Sequence, residues 1–577
     1  MRALTVSTTS LGGALIVGAA MFLSASNPAC AVATNTTAVQ CTSEAECLGL
    51  GPEFAGTTCD ANTKTCIKVP QDADLCKTNK ECIDKIGGQP AICKKSTRKC
   101  VNLITPECPY VIAQPGQLLD DDAIVIGMES PAQTIEIGDV MEQTVRLFQA
   151  ELTKQVQGLP GVNGSTKPRP LVIATCIEFA GGYQGLIRSS THLVKDVGVP
   201  LILGPVDTGH TAVMAPQVTL PNKVLIVQPT ILTSYINDLP SPASPTPLIW
   251  SLSPNEKSFN PAGTALILSD IEPKLRAQGI TGPIRIATIA DGNTYGSAIA
   301  DNEETILTFN GKTAVQNAAD GNYARFTLGD SLDKVNNPSP EEGIAKVIAG
   351  VYAFKPHIII DIYQPSTVTE TLFPLVFGWP KDVFFPYHVD LFNTFGAFQP
   401  LYSILDMLPF AQDRFYSVQS RQDADRLARA GQWLIKFNAF SPTFKDSQTQ
   451  QAPLVQQWYD SAYVAAYAIA ALGDKPLTGE NLGKTIPLLT SGPRVRVGTE
   501  DLAGALENLK AGKGIDLDGI TGSLDLDPAH GTVKYEIDLL CPQKGPDGKI
   551  VNFKPSGFYL DKNEKGVGTS TCPLLPK

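Results

Sequence analysis

The stretch VGVPLILGPVDTGHTAVMAPQVTLPNKVLIVQPT, residues 197–230, sets two apolar, β-branched runs, PLILG (200–204) and KVLIV (223–227), on either side of a helix-like segment. Runs of this length that are apolar throughout suit strands buried on both faces, and parallel strands need a crossover, usually helical, between them. The link GPVDTGHTAV (204–213) decides what such a unit can do. Gly204 and Gly209 permit a tight turn, and Asp207 or Thr208 can cap the following helix. The Thr208 hydroxyl and nearby N–H groups suit a carboxylate, since helix N-termini beyond the carboxyl ends of parallel strands favour anions. A plain capped turn accounts for the same residues.

The pattern continues outward from this unit. AIVIGM (123–128), LVIATC (171–176), IRIATIA (284–290), HIIIDIY (357–363) and VFFPY (383–387) read as further buried strands. Helical stretches such as 140–155, 341–354 and 454–472 lie between and after them. The expected fold class is therefore α/β, with doubly wound parallel sheets covered by helices. The Pro- and Ser-rich phrase LPSPASPTP (239–247) is the expected crossover between two lobes.

The whole chain has 577 residues, ample for more than one core; 43% are apolar and 18% charged, with a mean hydropathy of +0.00. Its net charge of −11 is opposite to the basic surface that phosphate contacts require, so no nucleic-acid partner is expected. The five histidines are scattered without paired spacing, and no GxSxG elbow, phosphate loop or dinucleotide fingerprint is present. Neither an enzyme nor a cofactor or metal site is indicated.

Residues 1–33 read as a secretory signal: Arg2, the apolar run LGGALIVGAAMFL (11–23), then small residues ending in AVA (31–33). That run is shorter than the roughly 20 residues needed to span a bilayer. Cys30, after Ala29, is a candidate lipid anchor, although Asn27 and Pro28 depart from the usual lipidation pattern. Export to a periplasmic or cell-surface location fits the cysteines. Eight fall in a tandem repeat: Cys41, Cys47, Cys59 and Cys66, then Cys76, Cys82, Cys93 and Cys100, with spacings of five, eleven and six residues and then five, ten and six. Units this small need cross-links to fold, so two disulfides per module are expected, with three pairings open. Cys108, Cys176, Cys541 and Cys572 remain; Cys108 is paired here with Cys176, and Cys541 with Cys572, across an expected C-terminal hairpin.

Four phrases resemble, in order and spacing, the type I periplasmic-binding-protein family of leucine/isoleucine/valine-binding proteins and receptor ligand-binding regions. They are residues 197–230; IATIADGNTYGSAIAD (286–301); QWYDSAYVAAYAIAAL (457–472); and GITGSLDLDPAHG (519–531). The resemblance covers about residues 122–540 and implies two doubly wound lobes joined by three crossing strands, with ligand clamped between them. It implies that a ligand carboxylate is held by Thr208, with Gly209 beside it, and by Thr230 after the fourth strand. It further implies closure from the second lobe by Tyr295, by the loop near Gln364 and by the loop at His388 to Asp390. Asp390 is the nearest candidate for a ligand ammonium, and the fourth-strand loop departs from the family in reading QPTIL.

On this basis the domains are 1–33 signal; 34–108 two Cys-rich modules (41–66 and 76–100); 109–250 first lobe; 251–388 second lobe; 389–515 return to the first lobe; and 516–577 closing segment and hairpin. The expected function is capture of a small polar ligand, an amino acid or amide-like molecule, and its delivery to the membrane permease of an ABC transporter. A sensor or scaffold whose Cys-rich modules bind a partner is the alternative. Among other residues, His210 is expected to cap or lie at the surface. Asp361 is expected at a strand end or paired, and Tyr459, Tyr463 and Tyr467 to pack one helix face. Asp120 to Asp122 are expected to solvate a linker.

Overall fold

In a computed structural model, the described residues are parts of 41–68 and residues 75–572, with gaps at 134–135, 240–243, 245, 330–339, 363–364, 392–398, 422 and 446–452. The signal, Cys30 and Gln364 lie outside them. The chain divides into two compact units, Met1–Asp74 and Leu75–Lys577.

In the smaller unit, strands Thr57–Cys59 and Cys66–Lys68 pair antiparallel, and disulfides join Cys41 to Cys59 and Cys47 to Cys66. The second module repeats this plan inside the larger unit. Strands Ala91–Lys94 and Lys99–Asn102 set Cys93 opposite Cys100, and the bonds are Cys76–Cys93 and Cys82–Cys100. Both modules therefore use the same pairing, first with third and second with fourth.

The second module is docked on the first lobe rather than hanging from a linker. Leu103 is fully buried with Val197 and Val199, and Lys94 Nζ donates to the carbonyls of Lys195 and Asp196 at 2.6 and 2.7 Å. The acidic run does not solvate a linker. Asp121 accepts the Asn79 amide at 2.7 Å, the Asp120 carbonyl accepts from the Asn79 side chain, and Asp122 meets Lys95.

The first lobe is built from β1 (Tyr110–Ile112), β2 (Ile124–Ser130), α1 (Glu136–Val156), β3 (Leu171–Ile177), α2 (Gly182–Thr191), β4 (Leu201–Leu203), α3 (Thr208–Met214), β5 (Leu225–Gln228) and β6 (Ile249–Ser251). A disulfide between Cys108 and Cys176 ties the chain ahead of β1 to β3. The Pro- and Ser-rich phrase leads into β6 and is not the crossover, because β6 pairs with β5 in the first sheet and the chain crosses only after Ser251.

The second lobe then forms from α4 (Glu256–Leu266), β7 (Ile286–Ala290), α5 (Thr294–Ile306), β8 (Tyr323–Thr327), α6 (Pro340–Phe354), β9 (Ile358–Ile362), α7 (Pro365–Phe377), β10 (Tyr387–Asp390), α8 (Gln399–Asp406) and β11 (Phe415–Ser420). VFFPY is not itself the strand: β10 starts after Pro386, whose missing N–H cannot join a central ladder. The chain returns through α9 (Ala424–Phe440) to α10 (Pro453–Leu472), which packs on α1. Two short strands, β12 (Leu526–Asp527) and β13 (Thr532–Val533), complete the first sheet. The last crossing leads to β14 (Ile537–Lys544), β15 (Ile550–Leu560) and β16 (Gly566–Gly568), an antiparallel extension of the second sheet in which Cys541 is bonded to Cys572.

The strand orders are β12-β13-β6-β5-β4-β2-β3-β1 and β8-β7-β9-β10-β11-β14-β15-β16. Two boundaries thus move: the second lobe continues past 388 through β11, and the first lobe keeps residues up to Val533. Both corrections follow from pairing partners that leave no local signal. Three chain crossings join the two α/β lobes, as the resemblance implies.

Each sheet is covered on both faces. In the second, Ile286, Ala290, Ile358 and Ile360 face one cluster, while Ala287, Ile289 and Ile359 face another with Val347, Leu372 and Leu405. Continuous apolar strands of this kind alternate between two cores rather than between core and water. Strand order reverses direction between β2 and β4 and between β7 and β9, and such reversals open a crevice at the carboxyl ends of the strands.

Candidate functional site

On the first lobe the reversal point is lined by Glu129 at the end of β2, Glu178 just beyond β3 and the loop 204–207 leading into α3. Gly204 has φ +87, and a Cβ there would stand 2.6 Å from the Glu129 carbonyl and 2.9 Å from Trp458. Only glycine fits this approach. Asp207 is the N-cap of α3, accepting the His210 amide at 2.9 Å.

Glu178 organises this loop. Its fully buried carboxylate accepts the Val206 amide at 2.7 Å, the Asp207 amide at 2.9 Å and His210 Nδ1 at 3.0 Å. His210 is therefore an interior residue, not a surface one; its ring packs against Phe179 and Tyr183 at 4.6 and 5.0 Å. Burial alone would push His210 down, but Glu178 outweighs it and holds the imidazole above its ordinary value. Burial raises the Glu178 carboxyl despite the opposing pull of His210. Glu129 is also fully buried; it accepts from Ser189 at 2.9 Å while its second oxygen has no partner among the described residues. Burial first, then Glu178, pushes it well above the carboxylate range.

The next loop is closed in the same way. Gln228 Oε1 accepts the amides of Thr230 (2.6 Å) and Ile231 (2.9 Å), and its Nε2 donates to the Pro205 carbonyl. The Thr230 hydroxyl donates to the Val206 carbonyl at 3.0 Å. Thr208 and Gly209 form the first turn of α3, with the Thr208 side chain buried.

On the second lobe, Asn293 caps α5 through the Gly296 amide, and Tyr295 in the first turn is buried with its hydroxyl donating to Asp291 at 2.6 Å. Burial, then the charges of Asp291 and, across the cleft, Asp207, push this phenol well above its ordinary range. α3 packs against α5, so Thr208 and Tyr295 belong to facing elements of the two lobes. His388 and Asp390 lie within β10, not in a loop. His388 is buried on the face covered by α6, α7 and α8, stacked on Phe415 at 4.5 Å and paired with Asp361 at 2.8 Å. Asp361 is thus paired inside its strand. Asp390, at the carboxyl end of β10, accepts from Ser417 at 3.1 Å.

The connections between the lobes are pinned by polar contacts. Ser253 donates to Gln457 at 2.9 Å, Tyr535 to the Leu252 carbonyl at 2.6 Å, and Arg421 to Glu536 at 2.9 Å. Sequence reading overlooked Glu129, Glu178 and Gln228, although each is a polar residue at the carboxyl end of an apolar strand. The tyrosine stripe of α10 packs inward as a core face, with Tyr459 and Tyr463 both donating to the buried Glu151.

No protein-family model matches the sequence, and no curated protein matches it. Over about three quarters of its length the chain is similar to solute-binding proteins of known structure. A leucine-binding protein from Thermotoga maritima is 12% identical, with 75% of this chain and 97% of that one covered and a TM-score of 0.48. A branched-chain amino acid transporter substrate-binding protein from Streptococcus pneumoniae, solved with isoleucine, is 12% identical over 75% and 99% of the two chains, TM-score 0.48. An ABC-transporter solute-binding protein from Rhodopseudomonas palustris, solved with 3,4-dihydroxybenzoic acid, is 13% identical over 78% and 99%, TM-score 0.48.

Proposed function

We propose that this chain is an extracytoplasmic binding protein that closes its two lobes on a small polar ligand and hands it to the permease of an ABC transporter. The observation that carries the reading is the apposition of two reversal points, one per sheet, with α3 packed against α5 and three crossings between the lobes. Thr208 and Gly209 on the first lobe and Tyr295 on the second are the proposed contacts, with Thr230 and Asp390 at the carboxyl ends of neighbouring strands; Gln364, which follows β9 in the sequence, is proposed to join them. His388 is proposed to act through Asp361 rather than by touching the ligand. Six disulfides fit an oxidising compartment, and no helix among the described residues is long and apolar enough to cross a membrane.

The test is a thermal-shift screen of the disulfide-intact protein against amino acids, amides, amines, small carboxylates and sugars. A ligand that binds only the native state raises the midpoint with concentration. Flat curves across the panel, after unfolding and refolding to strip carried-over ligand, count against the reading.

A further inference from the structure

The donors of the loops 204–207 and 228–231 are already in use, which leaves the Thr208 and Gly209 amides and the Thr208 hydroxyl as the donors at the start of α3. Glu178 holds the amides of Val206 and Asp207, Asp207 holds those of His210 and Thr211, and Gln228 holds those of Thr230 and Ile231. The Thr230 hydroxyl is spent on the Val206 carbonyl. The loop before α3 is therefore wrapped around a carboxylate supplied by the chain, buried and locked by His210.

The charge that remains has the wrong sign for a second carboxylate. Asp207 stands at the start of α3, its Oδ1 within 3.0 Å of a Cβ built on Gly209, and Asp291 stands opposite beneath Tyr295. The charged groups that act most strongly on Glu129, Glu178, His210 and Tyr295 are one another and the two aspartates, with no lysine or arginine among them. A like charge brought into such a poorly solvated space is disfavoured, whereas an ammonium, amide N–H or hydroxyl finds acceptors there.

We propose that the interlobe site selects ligands by their hydrogen-bond donors, as amines, amides or polyols, and disfavours a free carboxylate at the first lobe because Asp207 and the buried Glu178 stand beside the first turn of α3. This inference rests on the binding-protein reading above. It separates two ligand classes that the sequence left together, amino acids and amide-like molecules.

The experiment is calorimetric titration of the full disulfide-intact protein with matched pairs, L-leucine against L-leucinamide and benzoate against benzamide, alongside the hits of the wider screen. The amide of a binding pair, and donor-rich neutral or cationic hits generally, are expected to bind at least tenfold more tightly than their carboxylates. Carboxylates that bind as tightly or more tightly overturn the inference and leave the binding-protein reading standing; absence of binding by every compound in the wider screen removes both. Glu178→Gln is expected to reduce that discrimination at least tenfold, with circular dichroism confirming the fold. Asp207→Asn, which keeps a capping side chain, is expected to weaken it in the same direction. Unchanged discrimination in both variants overturns the inference.

Discussion

Asp460 and Thr521 are joined twice: the carboxylate accepts the Thr521 amide at 3.0 Å and its hydroxyl at 2.6 Å. The same group takes the Ile520 amide at 2.9 Å, and the neighbouring Gly519 leaves no room for a Cβ beside it. Two of the phrases that stand out in the sequence, the YDS of α10 and the GITGS turn, are thus two halves of one buried contact. What joins them is hydrogen bonding inside the first lobe.

Asp460→Ala strands two buried amides and a hydroxyl. The expected loss is roughly 3 kcal/mol or more, since each unsatisfied buried group costs about 1–3 kcal/mol. Urea denaturation measures it, and a loss under about 1 kcal/mol would show that water replaces the carboxylate.

Glu303 on α5 supplies a pH dependence. Both of its oxygens are buried without a hydrogen-bond partner among the described residues, and burial, only partly offset by Thr264, raises its carboxyl to about 8. Below the ordinary carboxylate value the group is protonated in both the folded and the unfolded chain. Between that value and about pH 8 the unfolded chain ionises first, so stability falls as pH rises, with a slope of up to about 1.4 kcal/mol per unit. Glu303→Gln keeps the shape and removes the titration. Denaturation midpoints of the variant should gain on the parent steadily from pH 5 to pH 8, and parallel curves would refute the assignment.

Leu103 tests whether the second Cys-rich module is part of the lobe. It is fully buried against Val197 and Val199, so Leu103→Ala should cost about 2–5 kcal/mol. Lys94→Ala, which removes a partly exposed cap on two carbonyls, should cost less than about 1 kcal/mol. Thermal denaturation of the two variants gives the comparison; a module that merely tethers would leave both unchanged.

Much of the fold was legible because each buried parallel strand announces itself as a short apolar run; the run 171–176 falls within a strand, and the runs 284–290 and 357–363 each contain one. The short strands β6, β12 and β13 carry no such run and exist through their neighbours, which is why the lobe boundaries shifted. At the proposed site, Thr208 is nominated by a capped turn after a strand, whereas Tyr295 is nominated only through the resemblance. Glu178 is not nominated, because its role depends on the Val206 and Asp207 amides lying 28 and 29 residues away. The burial of His210 is hidden for the same reason: one helical turn gives no hint of a carboxylate and a ring arriving just after β3, or of a second ring from the first turn of α2.

Tyr295 and Thr208 give the sharpest separation of binding from folding. Tyr295→Phe removes the hydroxyl that Asp291 accepts but keeps the ring in the core, and Thr208→Val keeps the volume of a buried side chain while removing its hydroxyl. Each should lower the unliganded thermal midpoint by only a few degrees, because Tyr295→Phe removes one hydrogen bond, worth about 1 kcal/mol, and Thr208→Val preserves the packed volume. If the two lobes close on ligand through these residues, a hit from the screen should lose at least tenfold in affinity in each single variant. In the double variant the ligand-induced shift should vanish while circular dichroism stays unchanged. Retained binding in the double variant would move the site away from the α3–α5 apposition, and with it the argument that closure is driven there.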